Sequence, residues 1–151
     1  MDGHLSGMLV IIIICVIMSA YFSATETAFN TFNRIRVKGY AEKGNKKAQR
    51  VLKLADGYDR LISTILVGNN IVNILGASLA TLFFAGIFKD VSSITEDLNA
   101  TISTAVMTVV TLTFGEITPK TLAKQFPEKF VMFSAPIINF FSIILFPITF
   151  I

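Results

Sequence analysis

Cysteine and histidine are nearly absent from this sequence: Cys15 and His4 are the single copies in 151 residues. A lone cysteine excludes an intrachain disulfide. Together the two residues cannot build a zinc centre or a nucleophile–base pair, so enzymatic activity is not expected. Charge is scarce as well. Charged residues make up 15% of the chain, against roughly 25% in soluble domains. Residues 1–7 hold Asp2 but no Lys or Arg. They lack the basic segment of a cleavable signal, so the first apolar stretch is expected to be retained.

What the sequence does have is apolar and segregated. Hydrophobic residues make up 53%. Residues 61–88, 98–115 and 130–151 carry no formal charge, and residues 5–29 carry only Glu26. Each run is near or above the roughly 18–20 residues that cross a bilayer as a helix. The fold class expected is all-α integral membrane, with transmembrane helices at about 5–29, 61–88 and 98–120.

The formal charge of +3 concentrates in one place. Nine of the 13 Lys and Arg residues, from Arg34 to Arg60, lie between the first and second runs. The loop between the second and third runs carries Lys89, Asp90, Glu96 and Asp97. The positive-inside rule then makes the first loop cytoplasmic and the N-terminus external, in a multi-pass protein of the plasma membrane. This use of the charge, with no groove-reading motif beside it, argues against nucleic acid as a partner and for anionic membrane lipid. Residues 30–60 read as two short helices hinged near Gly44-Asn45. Their apolar faces are Ile35, Val37, Tyr40 and Ala41, then Ala48, Val51, Leu52 and Ala55.

The fourth run has two readings. As a span it would leave the C-terminus outside. Pro127, Pro136 and Pro147, with phenylalanines 130, 133, 140, 141 and 146, fit an interfacial or bent helix at about 128–151 slightly better. That choice puts the C-terminus in the cytoplasm. The sequence stops within apolar residues, so a longer protein is expected.

Polar residues recur inside the spans. Ser19, Ser23 and Glu26 fall at offsets 0, +4 and +7, one helical face, and Thr27 continues the stripe. Asn69 and Asn73 share a face, with Asn70 beside it. Serines can bond back to their own helix, asparagines can join helices, and Glu26 can sit solvated at the inner boundary. Phe114-Gly115-Glu116-Ile117-Thr118-Pro119-Lys120 ends the third run. A carboxylate at membrane depth is costly without a partner or an ion. Pro119 has no N–H for the carbonyl four residues back, which is that of Gly115, so carboxylate and freed carbonyl lie side by side at a structural kink.

Depth favours a shared site. At about 1.5 Å per residue, Ser19 and Ser23 lie roughly 21–27 Å from the outer edge of a core about 30 Å thick. Asn69 to Asn73 lie roughly 12–18 Å from the inner edge, and Glu116 roughly 24 Å from the outer edge. All fall in the middle-to-inner membrane. The third run adds Thr101, Ser103, Thr104, Thr108, Thr111 and Thr113, which either line a route or only pack. Hydroxyl, amide carbonyl, backbone carbonyl and carboxylate are hard oxygen ligands suited to Mg²⁺, Ca²⁺ or Na⁺.

Four elements in this chain resemble the transmembrane domain of the CorC/cyclin M (CNNM) family of magnesium transporters. They are Ser19-x-x-x-Ser23, Ser23-Ala24-Thr25-Glu26-Thr27-Ala28-Phe29, Gly68-Asn69-Asn70-Ile71-Val72-Asn73 and Phe114-Gly115-Glu116-Ile117-Thr118-Pro119-Lys120. The resemblance covers essentially the whole chain. It implies a homodimer that exports Mg²⁺ in exchange for Na⁺. It also implies three transmembrane helices, a short intracellular helical pair and a juxtamembrane belt helix, followed downstream by ATP-binding CBS-pair domains absent from this chain. By motif, the family's ion site falls on Ser19, Ser23, the asparagines 69, 70 and 73, Gly115 and Glu116. Asn70 departs from the pattern of the animal members, so which asparagine ligates stays open. The competing reading is a membrane anchor or scaffold for cytosolic domains, in which these polar residues only join helices.

Overall fold

The computed structural model describes residues 3–89, 93, 95–145 and 147. Every regular element among them is helical. Helix α1 runs Gly3–Thr31, α2 Arg34–Glu42, α3 Lys46–Asp56, α4 Tyr58–Phe88 and α5 Glu96–Val110. A π-helical segment, Thr111–Ile117, joins α5 to α6 (Thr118–Gln125), and α7 is Pro127–Ile144. Three continuous helical runs are long and apolar enough to cross a membrane: Gly3–Thr31, Tyr58–Phe88 and Glu96–Gln125. Their 29, 31 and 30 residues rise about 45 Å at 1.5 Å each, longer than the apolar core, so each projects past it.

Local chemistry sets the breaks between these helices. Asn33 caps α2 by accepting the Arg36 N–H at 3.1 Å, and Asn45 caps α3 by accepting the Ala48 N–H at 3.1 Å. Between them Gly44 takes φ +93°, a left-handed turn that glycine enters without steric cost. Thr95 caps α5 through Leu98 N–H at 3.2 Å, and Glu96 and Asp97 complement the dipole of that first turn.

The helical pair is hinged where the sequence places it, but its first apolar face is narrower than expected. Val37 is fully buried, whereas Ile35 is 83% exposed and Tyr40 is exposed. Ile35 and Val37 stand about 200° apart around the helix, so they cannot share one face. On α3, Ala48 and Val51 are fully buried as anticipated.

α1 is the hub, packed against α4, the π-helical segment, α6 and α7. Two apolar clusters hold it. One joins Phe22, Ala28 and Phe29 to Val37, Val51, Leu61, Ile65, Ala123, Val131 and Ile138 near the basic end. The other joins Ile12 to Ala80 and Phe83 toward the opposite end. Outward-facing side chains are also apolar, with Ile17, Ile74 and Val109 each more than 60% exposed. An apolar surface around a polar-centred bundle is the inverse of a soluble fold and fits a lipid solvent.

α7 buries one stripe, Val131, Ser134, Ala135, Ile138 and Ser142, at the i, i+3, i+4, i+7, i+11 spacing of an amphipathic helix. It packs on α1, α3 and α4. The Tyr21 hydroxyl donates to the Ser134 carbonyl at 3.1 Å, and Phe141 meets Phe22 edge-on at 5.3 Å between ring centres. Because the strongly basic α3 is one of its partners, α7 lies at the basic end as a belt beside the bundle. Phe146 and residues 148–151 of the expected belt lie outside the described residues.

Candidate ion site

Between the two apolar clusters lies a polar layer contributed by α1, α4 and the π-helical segment. Its best-defined contact is the Ser19 hydroxyl donating to Asn69 Oδ1 at 2.9 Å. Ser19 is 1% and Ser23 2% exposed. Gly115 completes the junction, since a Cβ there would stand 3.1 Å from Ser19 Oγ and 3.5 Å from Thr111 Cγ2. The absence of a side chain at Gly115 therefore lets the backbone of the third span approach Ser19.

The close approach of α4 has the same origin. A Cβ on Gly68 would lie 2.6 Å from Phe22 Cζ, and one on Gly76 would lie 3.3 Å from Cys15 Cβ. Small residues at such crossings let transmembrane backbones meet, and helix packing in lipid depends on that contact.

The third span does not kink at Pro119 as an interrupted α-helix. The expected kink becomes a seven-residue π-helix, Thr111–Ile117, and Pro119 sits in the first turn of α6. In this register the Thr118 N–H bonds the Thr113 carbonyl. Pro119 would next serve Phe114 in π register or Gly115 in α register, and it has no N–H to give. The shift thus leaves the stretch one donor short beside Gly115 and Glu116. π segments of this kind occur frequently at functional sites.

Glu116 is half-buried directly after Gly115, and no ion pair or hydrogen bond engages its carboxylate among the described residues. Asn73 lies one turn from Asn69. It lines a cleft of about 280 Å³ together with Ala77, Thr81, Ser103, Thr104, Thr108 and Thr111. Asn70 is exposed, whereas Asn69 and Asn73 are half-buried; it stands about 100° around α4 from Asn69. Glu26 is half-buried, and its neighbours Thr25 and Thr27 are buried.

Among the hydroxyl residues of the third span, Ser103, Thr104, Thr108 and Thr111 line the cleft, whereas Thr101 and Thr113 do not. Thr101 bonds back to the Asp97 carbonyl at 3.0 Å. Asn99 was not singled out from the sequence. Its Nδ2 donates to the Thr81 carbonyl at 3.4 Å, its carbonyl accepts from Ser103 Oγ at 2.8 Å, and its buried Oδ1 has no partner among the described residues. Its lone position at the start of an apolar run was the available signal.

No group of three or more His, Cys, Asp and Glu side chains that could hold a metal exists among the described residues. The groups brought together here are neutral oxygens, with the Glu116 carboxylate next in the chain to Gly115. Such a set suits a hard ion held loosely enough to leave.

These features define a multi-pass helical membrane domain with a polar layer in its apolar interior. The chain belongs to the family of the cyclin M transmembrane N-terminal domain (CNNM), whose family model matches residues 10–151. It is 45% identical over 112 residues to the UPF0053 inner membrane protein YfjD of Escherichia coli (strain K12), covering 74% of this chain and 24% of that protein. It is 38% identical over 144 residues to a UPF0053 protein of Haemophilus influenzae, covering 95% of this chain and 33% of that protein. A Mycoplasma pneumoniae relative, UPF0053 protein MG146 homolog, is 34% identical over 151 residues. The chain thus spans about a quarter to a third of the length of these curated relatives.

Proposed function

We propose that this domain transports Mg²⁺ across the plasma membrane, exporting it from the cytoplasm in exchange for Na⁺. Ser19, Ser23, Asn69, Asn73, Gly115 and Glu116 form the oxygen-lined site through which the cargo ion passes. The observation that carries this reading is the convergence of Ser19, Asn69 and Gly115 beside a π-helical, donor-deficient backbone that carries Glu116. The chain works as a homodimer, with the basic helical pair and the belt α7 on the cytoplasmic face and the N-terminus outside. Its role is transport and not catalysis, and its surroundings are membrane lipid and not nucleic acid. Asn70, exposed in this chain, is left out of the proposed ligand set.

The Ser19–Asn69 hydrogen bond also supports the second reading, an anchor whose polar groups only join helices. The asparagine pair separates the two. In proteoliposomes loaded with a Mg²⁺-sensitive dye, Asn69→Ala is expected to lower the Mg²⁺ flux by about tenfold, the scale of one or two lost hydrogen bonds or ligand contacts. Asn70→Ala should leave flux within about twofold. Calorimetric Mg²⁺ binding should weaken only in the Asn69 variant. Flux that is unchanged in a folded Asn69→Ala protein would favour the anchor.

A further inference from the structure

A second polar cleft, distant from the ion site, lies at the basic end. It has a volume of about 280 Å³ and is lined by Arg50, Lys53 and Leu54 of α3, Gly57, Arg60 and Leu61 at the start of α4, and Asn139 and Ser142 of α7. Three cationic residues line this space, and among the described residues no acid does. The nearest carboxylates in sequence are Asp56 and Asp59. Asp56 is ion-paired with Arg34, and neither residue lines the cleft. Among the described residues neither Arg50 nor Lys53 belongs to an ion pair.

Two further features point into the same space. Gly57 is the N-cap of the 31-residue α4 and provides no side-chain cap, so the N–H groups of Tyr58 and Asp59 in that first turn are available to an anion. Ser142 is only 4% exposed, lines the cleft, and makes no hydrogen bond among the described residues. A largely buried serine whose hydroxyl makes no bond within the protein is left to bond whatever fills the cleft.

We propose that this cleft is a phosphate-binding site. Its chemistry suits a phosphate group carrying net negative charge. The cations supply the attraction, while the Ser142 hydroxyl, the Asn139 amide and the α4 N-terminus supply directed hydrogen bonds. A zwitterionic choline headgroup is disfavoured because its ammonium would meet Arg50 and Lys53, with no carboxylate lining the cleft among the described residues. The group arrives either on an anionic phospholipid at the membrane face or as a soluble phosphate, and the two sources share this chemistry. Occupancy would tie α3 to α4 and α7, so the site couples the helical pair to the belt.

Native mass spectrometry of the detergent-purified protein, titrated with phosphatidylglycerol or with phosphatidylcholine, tests the lipid source. Calorimetry with inorganic phosphate tests the soluble one. Selective retention of phosphatidylglycerol, or saturable phosphate binding, is expected. The Arg50→Gln/Lys53→Gln protein should bind the same probe about thirtyfold more weakly, at about fivefold for each cation near a membrane surface. Ser142→Ala should weaken it about two- to tenfold. Lys43→Gln/Lys46→Gln, an equal charge change at the hinge outside the cleft, should leave binding unchanged. Equal weakening by the hinge variant would reduce the effect to diffuse surface charge and overturn the proposal, as would the absence of binding by either probe.

Discussion

Glu116→Gln is expected to lower Mg²⁺ flux by about 10- to 100-fold while the protein becomes no less stable. The size follows from removing one charged oxygen ligand, worth about 1.5–3 kcal/mol, at about 1.4 kcal/mol per factor of ten. The stability side follows from burial. Glu116 is half-buried in the C-terminal half of an apolar span and has no ion pair among the described residues. A carboxylate in that setting carries an uncompensated desolvation cost, and the isosteric amide removes it. Melting in detergent without Mg²⁺ should therefore occur at the same or a higher temperature than wild type. Added Mg²⁺ should stabilise the wild type by mass action and leave the variant unchanged. Glu116→Asp keeps the charge but draws it back by one methylene, so an intermediate flux is expected. A variant that transports at the wild-type rate and still gains stability from Mg²⁺ would remove Glu116 from the site.

Gly68→Val should separate α4 from α1 and disable the site without touching any polar residue. The added Cβ alone would lie 2.6 Å from Phe22 Cζ. Phe22 is 1% exposed and wedged between Tyr21 and Phe141, so the ring has little room to retreat. Overpacking of this kind costs about 1–3 kcal/mol. Asn69 is the next residue on α4, and its bond to Ser19 depends on the same helix separation. The expected result is a lower melting temperature together with a loss of Mg²⁺ flux. Phe22→Ala in the same chain empties the space that the valine needs. The double variant should thus be more stable than the two single losses summed, a coupling that a double-mutant cycle reads directly. Strict additivity would mean that Gly68 and Phe22 do not form the α1–α4 contact.

Much of this architecture was readable from the sequence because each signal was local. Charge-free runs give spans, whatever packs beside them. Asn33, Asn45 and Thr95 accept bonds from N–H groups three residues on, and Gly44 marks its own turn. The polar positions in the spans were likewise visible, since an asparagine or glutamate in an apolar run is conspicuous in any fold. Less legible were features that depend on facing direction. Ile35 and Tyr40 looked like core residues and are exposed. Asn70 was grouped with Asn69 and Asn73 as a candidate ligand and is exposed. Asn99 and the cleft between α3, α4 and α7 needed neighbours that are distant in the chain.

The sequence by itself determined that this chain is a helical membrane domain, where its spans lie, and that a carboxylate and a proline sit together near the end of the third. Periodicity, charge and missing donors are properties of neighbouring residues and need no partner. Only the tertiary structure decided which polar groups meet. The contact of Ser19 with Asn69 and Gly115 depends on how closely two glycine-faced helices approach α1. The change to π-helical register around Glu116 arises where proline's missing N–H and packing against α1 act on the same turn. Both result from contacts between segments some fifty or more residues apart, which no local pattern encodes.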